Sequence, residues 1–404
     1  MKDNNEDKMN RSYTPQLWLI VLIIGLPQLS ETVYSPSLPD IAAYLNVSDT
    51  LVEYTLSIYL AAFALGTLFW GNLSDRLGRK PCLLLGLCLY VLGCIGCYSA
   101  ATISMLMMSR FLQAFGGSTG SVIGQAICRD AFHGPGMGKA FSIIGSAIAF
   151  SPVIGPILGG AIDQQWGWAA IFMALIGAGA LVLLMTWVNL TETHHHRGSA
   201  LKYFGQVLSH LARDQRTLGF GLLIAACNGI AFSYYAEGSF YLIELLGLSP
   251  AGYGISFALI ALAGVGGGFL SRRLHDYWDN STIIQTGIYI ILGGTGGFFV
   301  LTLLFIACGV YQGVFIGLTL IAMMTIMLGI ALVIPNCLAV ALSDYKYAVG
   351  TASSLFGFFY YTVISLFTIG MGWLHNDTLV PMPLYFMLIG VFTFFVHRLL
   401  ICRA

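Results

Sequence analysis

The chain has 404 residues, 57% of them hydrophobic and only 9% charged, with formal net charge zero. A water-soluble domain carries roughly 25% charged residues, so this composition excludes a water-facing globule and describes a protein that crosses a lipid bilayer many times. The balanced charge gives no electrostatic footing for a nucleic-acid partner.

The polar residues 1–15 read as a tail. The first apolar run starts near Leu17 and ends at Pro36 without a small-residue cleavage site, so it is expected to stay as a membrane span. A spanning helix needs roughly 20 apolar residues. Twelve runs of that kind follow one another, at 16–37, 51–72, 82–101, 104–128, 138–162, 168–189, 217–244, 252–270, 283–307, 312–341, 349–372 and 380–400. An even number places both termini on one side. All Lys and Arg except Arg110 fall in the tails or in the even-to-odd connections, and the opposite connections carry only acids such as Asp40, Asp49, Asp163 and Asp377. By the positive-inside rule both termini are expected in the cytoplasm.

The cysteines at 82, 88, 94, 97, 128, 227, 308, 337 and 402 lie mostly within apolar runs and read as small hydrophobes. Cys94 and Cys97 spell CxxC inside such a run, which is neither a redox nor a zinc signature.

Taken in order, the first run closes on ETVYSPSLPDIA, residues 31–42. Gln28, Glu31 and Ser35 form one polar stripe there at helical spacing. The connection after the second run reads GNLSDRLGRK, residues 71–80. Lipid cannot hold so dense a charge cluster, which marks a tight loop at a membrane face. A carboxylate such as Asp75 suits the partial positive charge of a neighbouring helix N-terminus. The fourth run contains RFLQAFGG, residues 110–117, with Arg110 the one cation away from the ends of the apolar runs. A charge this costly in lipid is a functional-site candidate. The fifth run contains GPILGG, Gly155 to Gly160, in which Pro156 removes a backbone donor and Gly155, Gly159 and Gly160 offer a smooth packing face.

The connection from Thr191 to Arg216 splits the chain into 16–190 and 217–401, six runs each. Its three histidines, His194–His196, have no Cys or acidic cluster around them and read as a polar linker. A repeat supports the division, because GNLSDRL at 71–77 and GFLSRRL at 268–274 agree at five of seven positions. The seventh run carries Glu237 in SYYAEGSFYLIE, with Tyr234 and Tyr241 on the same helical face.

Several of these stretches resemble the major facilitator superfamily: GxLSDRxGRK after the second span, RxxQxxG in the fourth and GPxxGG in the fifth. RFLQAFGG and WGWAAIF, residues 166–172, are similar more narrowly to the Bcr/CflA group of drug:proton antiporters. The resemblance implies an all-α membrane protein of twelve transmembrane helices in two six-helix, pseudo-symmetric halves. It also implies a monomer in a bacterial inner membrane that exports a small amphipathic or drug-like molecule in exchange for protons, with neither cofactor nor bound metal. A proton-coupled carrier of a metabolite, nutrient or siderophore, or a transporter-like sensor, would use the same fold. No nucleophile elbow or nucleotide loop appears in the polar segments, so no enzyme is expected.

By resemblance, Gly71, Asp75, Arg76, Gly78 and Arg79 gate the conformational change, together with Gly155, Pro156, Gly159 and Gly160. Gln28, Glu31, Arg110, Gln113, Tyr234, Glu237 and Tyr241 are the candidates for the substrate cavity and proton coupling. Two departures stand out. Aligning Tyr34, Pro36, Leu38 and Pro39 with the family's D-x-Y-x-P-x-L-P stretch puts Thr32 where the family has Asp, and the carboxylate at Glu31. Ser239 stands where the family has proline. Counted along the helices at 1.5 Å per residue, Glu31, Arg110 and Glu237 are expected at one depth, with Glu31 beside Arg110 and Glu237 across the cleft. Glu53 and Glu244 fall at the outer boundary and are given no function.

Overall fold

A computed structural model describes residues 15–132, 135–193, 204–309, 311–342, 345 and 349–401. His194–His196 and the first 14 residues lie outside the described residues. Among the described residues there is no β-strand, as lipid demands of an open chain, because only a helix satisfies its own backbone there.

The first half of the chain forms α1 (Leu17–Thr32), α2 (Leu38–Leu45), α3 (Asp49–Leu77), α4 (Arg79–Tyr98), α5 (Ile103–Ala131), α6 (Pro135–Trp166) and α7 (Trp168–Asn189). After α8 (Phe204–Leu211) come α9 (Gln215–Ser239), α10 (Pro250–Leu274), α11 (Asn280–Cys308), α12 (Gln312–Ala341), α13 (Val349–Leu374) and α14 (Pro381–Val396). Ten helical segments among the described residues are long and apolar enough to cross a membrane. Helices α5 and α6, with 29 and 32 residues, match them in length but are not among the ten. The centre of α5 is occupied by Arg110, Gln113 and a run of Gly and Ser.

The first apolar run is broken where a single helix over 16–37 is expected. A 3-10 turn at Ser35–Ser37 separates α1 from α2. Pro36 and Pro39 have no N–H to give the carbonyls of Thr32 and Ser35, so the α-helical ladder cannot continue through them. The long connection also differs from expectation, since it contains α8, whose Val207 and Leu211 bury against Tyr345, Ala352 and Leu355.

Several helix starts carry side-chain acceptors. Thr102, Asp214, Ser249 and Asp279 accept backbone N–H bonds at the first turns of α5, α9, α10 and α11. Within the first half, α1 packs on α5, α6 and α7, α3 on α4 and α5, and α4 on α5 and α7. Within the second, α9 packs on α12, α13 and α14, α10 on α12, and α11 on α12 and α14. The two halves meet chiefly along α6 with α10 and along α3 with α13.

These seams have two ends. The Arg79 face holds the α3–α4 turn, and the His375 face holds the end of α13.

Candidate functional site: a buried arginine beneath a central cavity

At the Arg79 face, α3 turns into α4 at Gly78, whose φ of 103° is one that side chains rarely adopt. Arg79 ties three helices together: it donates to Asp75 at 2.5 Å, to Ser74 Oγ at 2.7 Å and to Asp130 of α5 at 3.0 Å. The carboxylate at the N-terminus of α4 is Glu192, which accepts from the backbone N–H groups of Arg79 and Lys80 at 2.9 and 3.1 Å. Asp75, proposed from the sequence for a helix N-terminus, instead receives the Arg79 guanidinium. Gly71 faces α13, where a Cβ would stand 3.2 Å from Ser354 Oγ, and Arg76 is exposed.

Deeper in the bundle, Arg110 is fully buried. Its guanidinium carbon lies 4.1 Å from the centre of the Tyr34 ring and 4.3 Å from that of Tyr59. Two aromatic faces replace part of the hydration the cation has lost. Nη1 donates to Gln113 Oε1 at 2.7 Å and to the Ser30 carbonyl at 3.4 Å, and Gln113 Nε2 donates to Cys94 Sγ at 3.1 Å. The rings are themselves held, Tyr34 by a hydroxyl bond to Thr55 and Tyr59 by donating to the Pro27 carbonyl at 3.1 Å. Arg110 Nε and Nη2 have no hydrogen-bond partner, nor has Oε1 of the buried Glu31. Among the described residues no ion pair within 4.0 Å joins Glu31 to Arg110. Glu31 is nonetheless within electrostatic reach of Arg110, of Tyr59, of Tyr235 on α9 and of Tyr360 and Tyr361 on α13.

A cavity of about 500 Å³ lies over this centre between the halves. Gln28, Ser121, Gln125 and Arg129 line one side, Asn228, Phe232, Tyr360 and Tyr361 the other. Its lining reaches Arg129 and Leu342, near the ends of α5 and α12 at the Arg79 face. Of the seven residues assigned to the cavity from sequence, Gln28 lines it. Tyr234 is packed among Tyr253 and Phe257, and Tyr241 against Phe298.

The structure takes Glu237 away from the other two ionisable groups expected at one depth. Glu237 does not face Glu31 across the cleft; its Oε2 is 2.9 Å from His375 Nδ1, at the end of α13. Glu53, given no function from its sequence position, is fully buried with Oε1 3.9 Å from the same nitrogen. Asp49 and Asp377 lie 3.5 and 3.0 Å from His375 Nε2. Bonds to the Asp49 and Glu237 carboxylates push the His375 imidazole from its usual 6.5 up to about 10, with burial opposing. Sequence reading missed His375. The one signal for it was a histidine among acids in a connection without Lys or Arg.

Helix α6 carries the remaining predicted residues and wedges between the halves. A Cβ on Gly155 would meet Thr32 and Val33 of α1, and one on Gly159 the Val33 carbonyl. A Cβ on Gly160 would stand 2.9 Å from the Pro250 carbonyl carbon, and one on Gly254 of α10 3.0 Å from that of Pro156.

The sequence profile of the Major Facilitator Superfamily matches residues 20–369. The chain belongs to that superfamily. This major facilitator chain is 34% identical over 382 residues to an "Uncharacterized transporter" of Rickettsia bellii (strain RML369-C), covering 93% of each protein. It is 26% identical over 376 residues to the "Bicyclomycin resistance protein homolog" of Haemophilus influenzae, covering 90% of this chain and 92% of that one. The xylose transporter XylE from E. coli, in a partially occluded inward open conformation, has the same fold, with TM-score 0.73 at 14% identity over 95% of this chain and 98% of that one. The family and its structural neighbours are transporters, not enzymes, and the resistance-protein relative is in keeping with the Bcr/CflA-like motifs in this major facilitator chain.

Proposed function

We propose that the protein is a proton-coupled exporter of small, partly hydrophobic compounds, working by alternating access in a bacterial inner membrane. In this reading twelve helices cross the bilayer as two six-helix halves, residues 16–190 and 217–401, with both termini in the cytoplasm. The observation that carries it is the incomplete pairing beneath the cavity. A static ion pair would have Glu31 and Arg110 hydrogen-bonded to one another, because a buried unpaired charge costs several kcal/mol. Here Glu31 Oε1 and two guanidinium nitrogens are left without partners. Such groups are free to exchange partners, and Glu31 reaches both halves through Tyr59 on one side and Tyr235, Tyr360 and Tyr361 on the other. A carboxyl that takes a proton in one state and returns it in the other couples the proton gradient to substrate movement.

The test uses the full chain in liposomes with an imposed pH gradient and a fluorescent cationic drug as reporter. Glu31→Gln is expected to abolish gradient-driven accumulation while leaving downhill movement of the compound within about twofold of wild type. Undiminished gradient-driven transport by that variant would remove Glu31 from the coupling path.

A further inference from the structure

The His375 face gathers Asp49, Glu53, Glu237, Glu244 and Asp377. The connections at this face contain no Lys or Arg, so the protein supplies no permanent cation to balance them. Glu53 is the sharpest case. It is fully buried, and neither carboxylate oxygen has a hydrogen-bond partner. Its Oε1 points at His375 Nδ1 from 3.9 Å, while Glu237 Oε2 approaches the same nitrogen to 2.9 Å. One oxygen from each glutamate and a ring nitrogen of His375 lie within 4.8 Å of one another.

We propose that Glu53, Glu237 and His375 Nδ1 form a binding site for a divalent transition cation of the Zn²⁺ class. The site joins α3 of one half to α9 and α13 of the other and holds the His375 face shut. Tetrahedral zinc with bonds of about 2.0 Å spaces its ligands by about 3.3 Å, and the two ligand separations from Nδ1 bracket that value. One imidazole and two carboxylates are a borderline-soft donor set. Calcium and magnesium would need about six or more oxygens. The second ring nitrogen, Nε2, already faces Asp377 at 3.0 Å and Asp49 at 3.5 Å. That is the carboxylate–histidine arrangement that fixes a metal-binding imidazole and raises its basicity. The cation takes the place of the proton on Nδ1, so binding releases a proton and weakens on acidification.

This inference stands apart from the transport reading, because binding is measured without substrate or gradient. Zn²⁺ alone is titrated calorimetrically into the purified full chain, with His194, His195 and His196 replaced by alanine so that they do not take the metal. One saturable Zn²⁺ per chain is expected, weakened at least tenfold by Glu53→Gln and by His375→Gln. A second measurement guards against misfolded variants. Spin labels on α3 and α13 at this face should show a single short distance in the presence of Zn²⁺, and a broader distribution when a chelator is added. Absence of saturable binding in the parent chain would overturn the site. So would a Glu53→Gln chain that binds as tightly as the parent, or a label distance that ignores the metal.

Discussion

Arg110 sits where a charge has little water to turn to, and its chemistry decides what can replace it. The guanidinium is flat and lies against both Tyr34 and Tyr59, while one of its nitrogens reaches Gln113. A lysine ammonium keeps the charge but is a compact point on a flexible stem, without the plane or the fork. We therefore expect Arg110→Lys to lower transport at least tenfold while membrane expression and gel-filtration profile stay near those of the parent. Full activity in the lysine variant would mean that charge alone matters. Arg110 was legible in the sequence because a charge inside an apolar run is costly and therefore conspicuous, Glu31 through the polar stripe it shares with Gln28 and Ser35, and Gln113 through the RxxQxxG resemblance. Glu53 and His375 were not legible for the converse reason. They stand at span ends, where an ionisable residue is ordinary, and only the packing of α3 against α13 turns Glu53 away from water. The tyrosines failed differently: Tyr234 and Tyr241 share a helical face with Glu237, but that face packs against α10 and α11 instead of lining the cavity.

At the scale of elements, the apolar runs gave helix positions to within a few residues, because length and hydropathy are all that lipid asks of a span. They missed the interruption after α1, which Pro36 and Pro39 impose, and they missed α8, whose eight residues are too few to stand out. The glycines of α6 were legible as a packing face, but which helices they touch was not. Gly159 lies so close to the Val33 carbonyl that no side chain fits without moving α6 from α1. Gly159→Leu should therefore destabilise the N-terminal helices, lowering the melting temperature in detergent by several degrees, whereas Gly145→Leu, where nothing stands within 4 Å of a Cβ, should not. Outside the membrane, Asp214 caps α9. Partial burial raises its carboxyl, but bonds from the Thr217 hydroxyl and N–H, the Tyr345 hydroxyl and the Arg216 N–H outweigh burial and hold it below the usual value of 3.8. A carboxyl depressed in the folded state adds stability above its unfolded pKa, and that contribution is lost as pH falls through the folded value. Asp214→Ala should then cost about 1 kcal/mol near neutrality, and the gap from wild type should close below pH 4 in melting curves.

For the whole molecule, the two inter-half seams differ in what they seal. Near the His375 face α3 and α13 are in direct contact: Ser365 donates to the Ser57 carbonyl at 2.9 Å, the Phe63 and Tyr361 rings lie 4.9 Å apart, and a Cβ on Gly372 would stand 2.8 Å from the Tyr54 ring. Beyond that contact the cavity lies between the same two helices, with Phe63 and Thr67 on one wall and Ser353 and Gly357 on the other, and towards the Arg79 face they meet again where Gly71 faces Ser354. Two halves that rock as rigid bodies about this cavity must lengthen the contact at one end as they shorten the contact at the other. Gly372 is the place to test this, since the approach of α3 depends on the missing side chain. A leucine there acts as a wedge at the His375 face without touching Glu31, Arg110 or the cavity lining. In a Gly372→Leu chain, spin labels on α3 and α13 should move apart at the His375 face and together at the Arg79 face. A cysteine at Gln125, in the cavity wall, should at the same time react more slowly with a bulky thiol reagent supplied from the Arg79 side. If the wedge widened the His375 face and left the Arg79 face unchanged, the two halves would not be moving as rigid bodies about a shared centre, and alternating access would need another geometry.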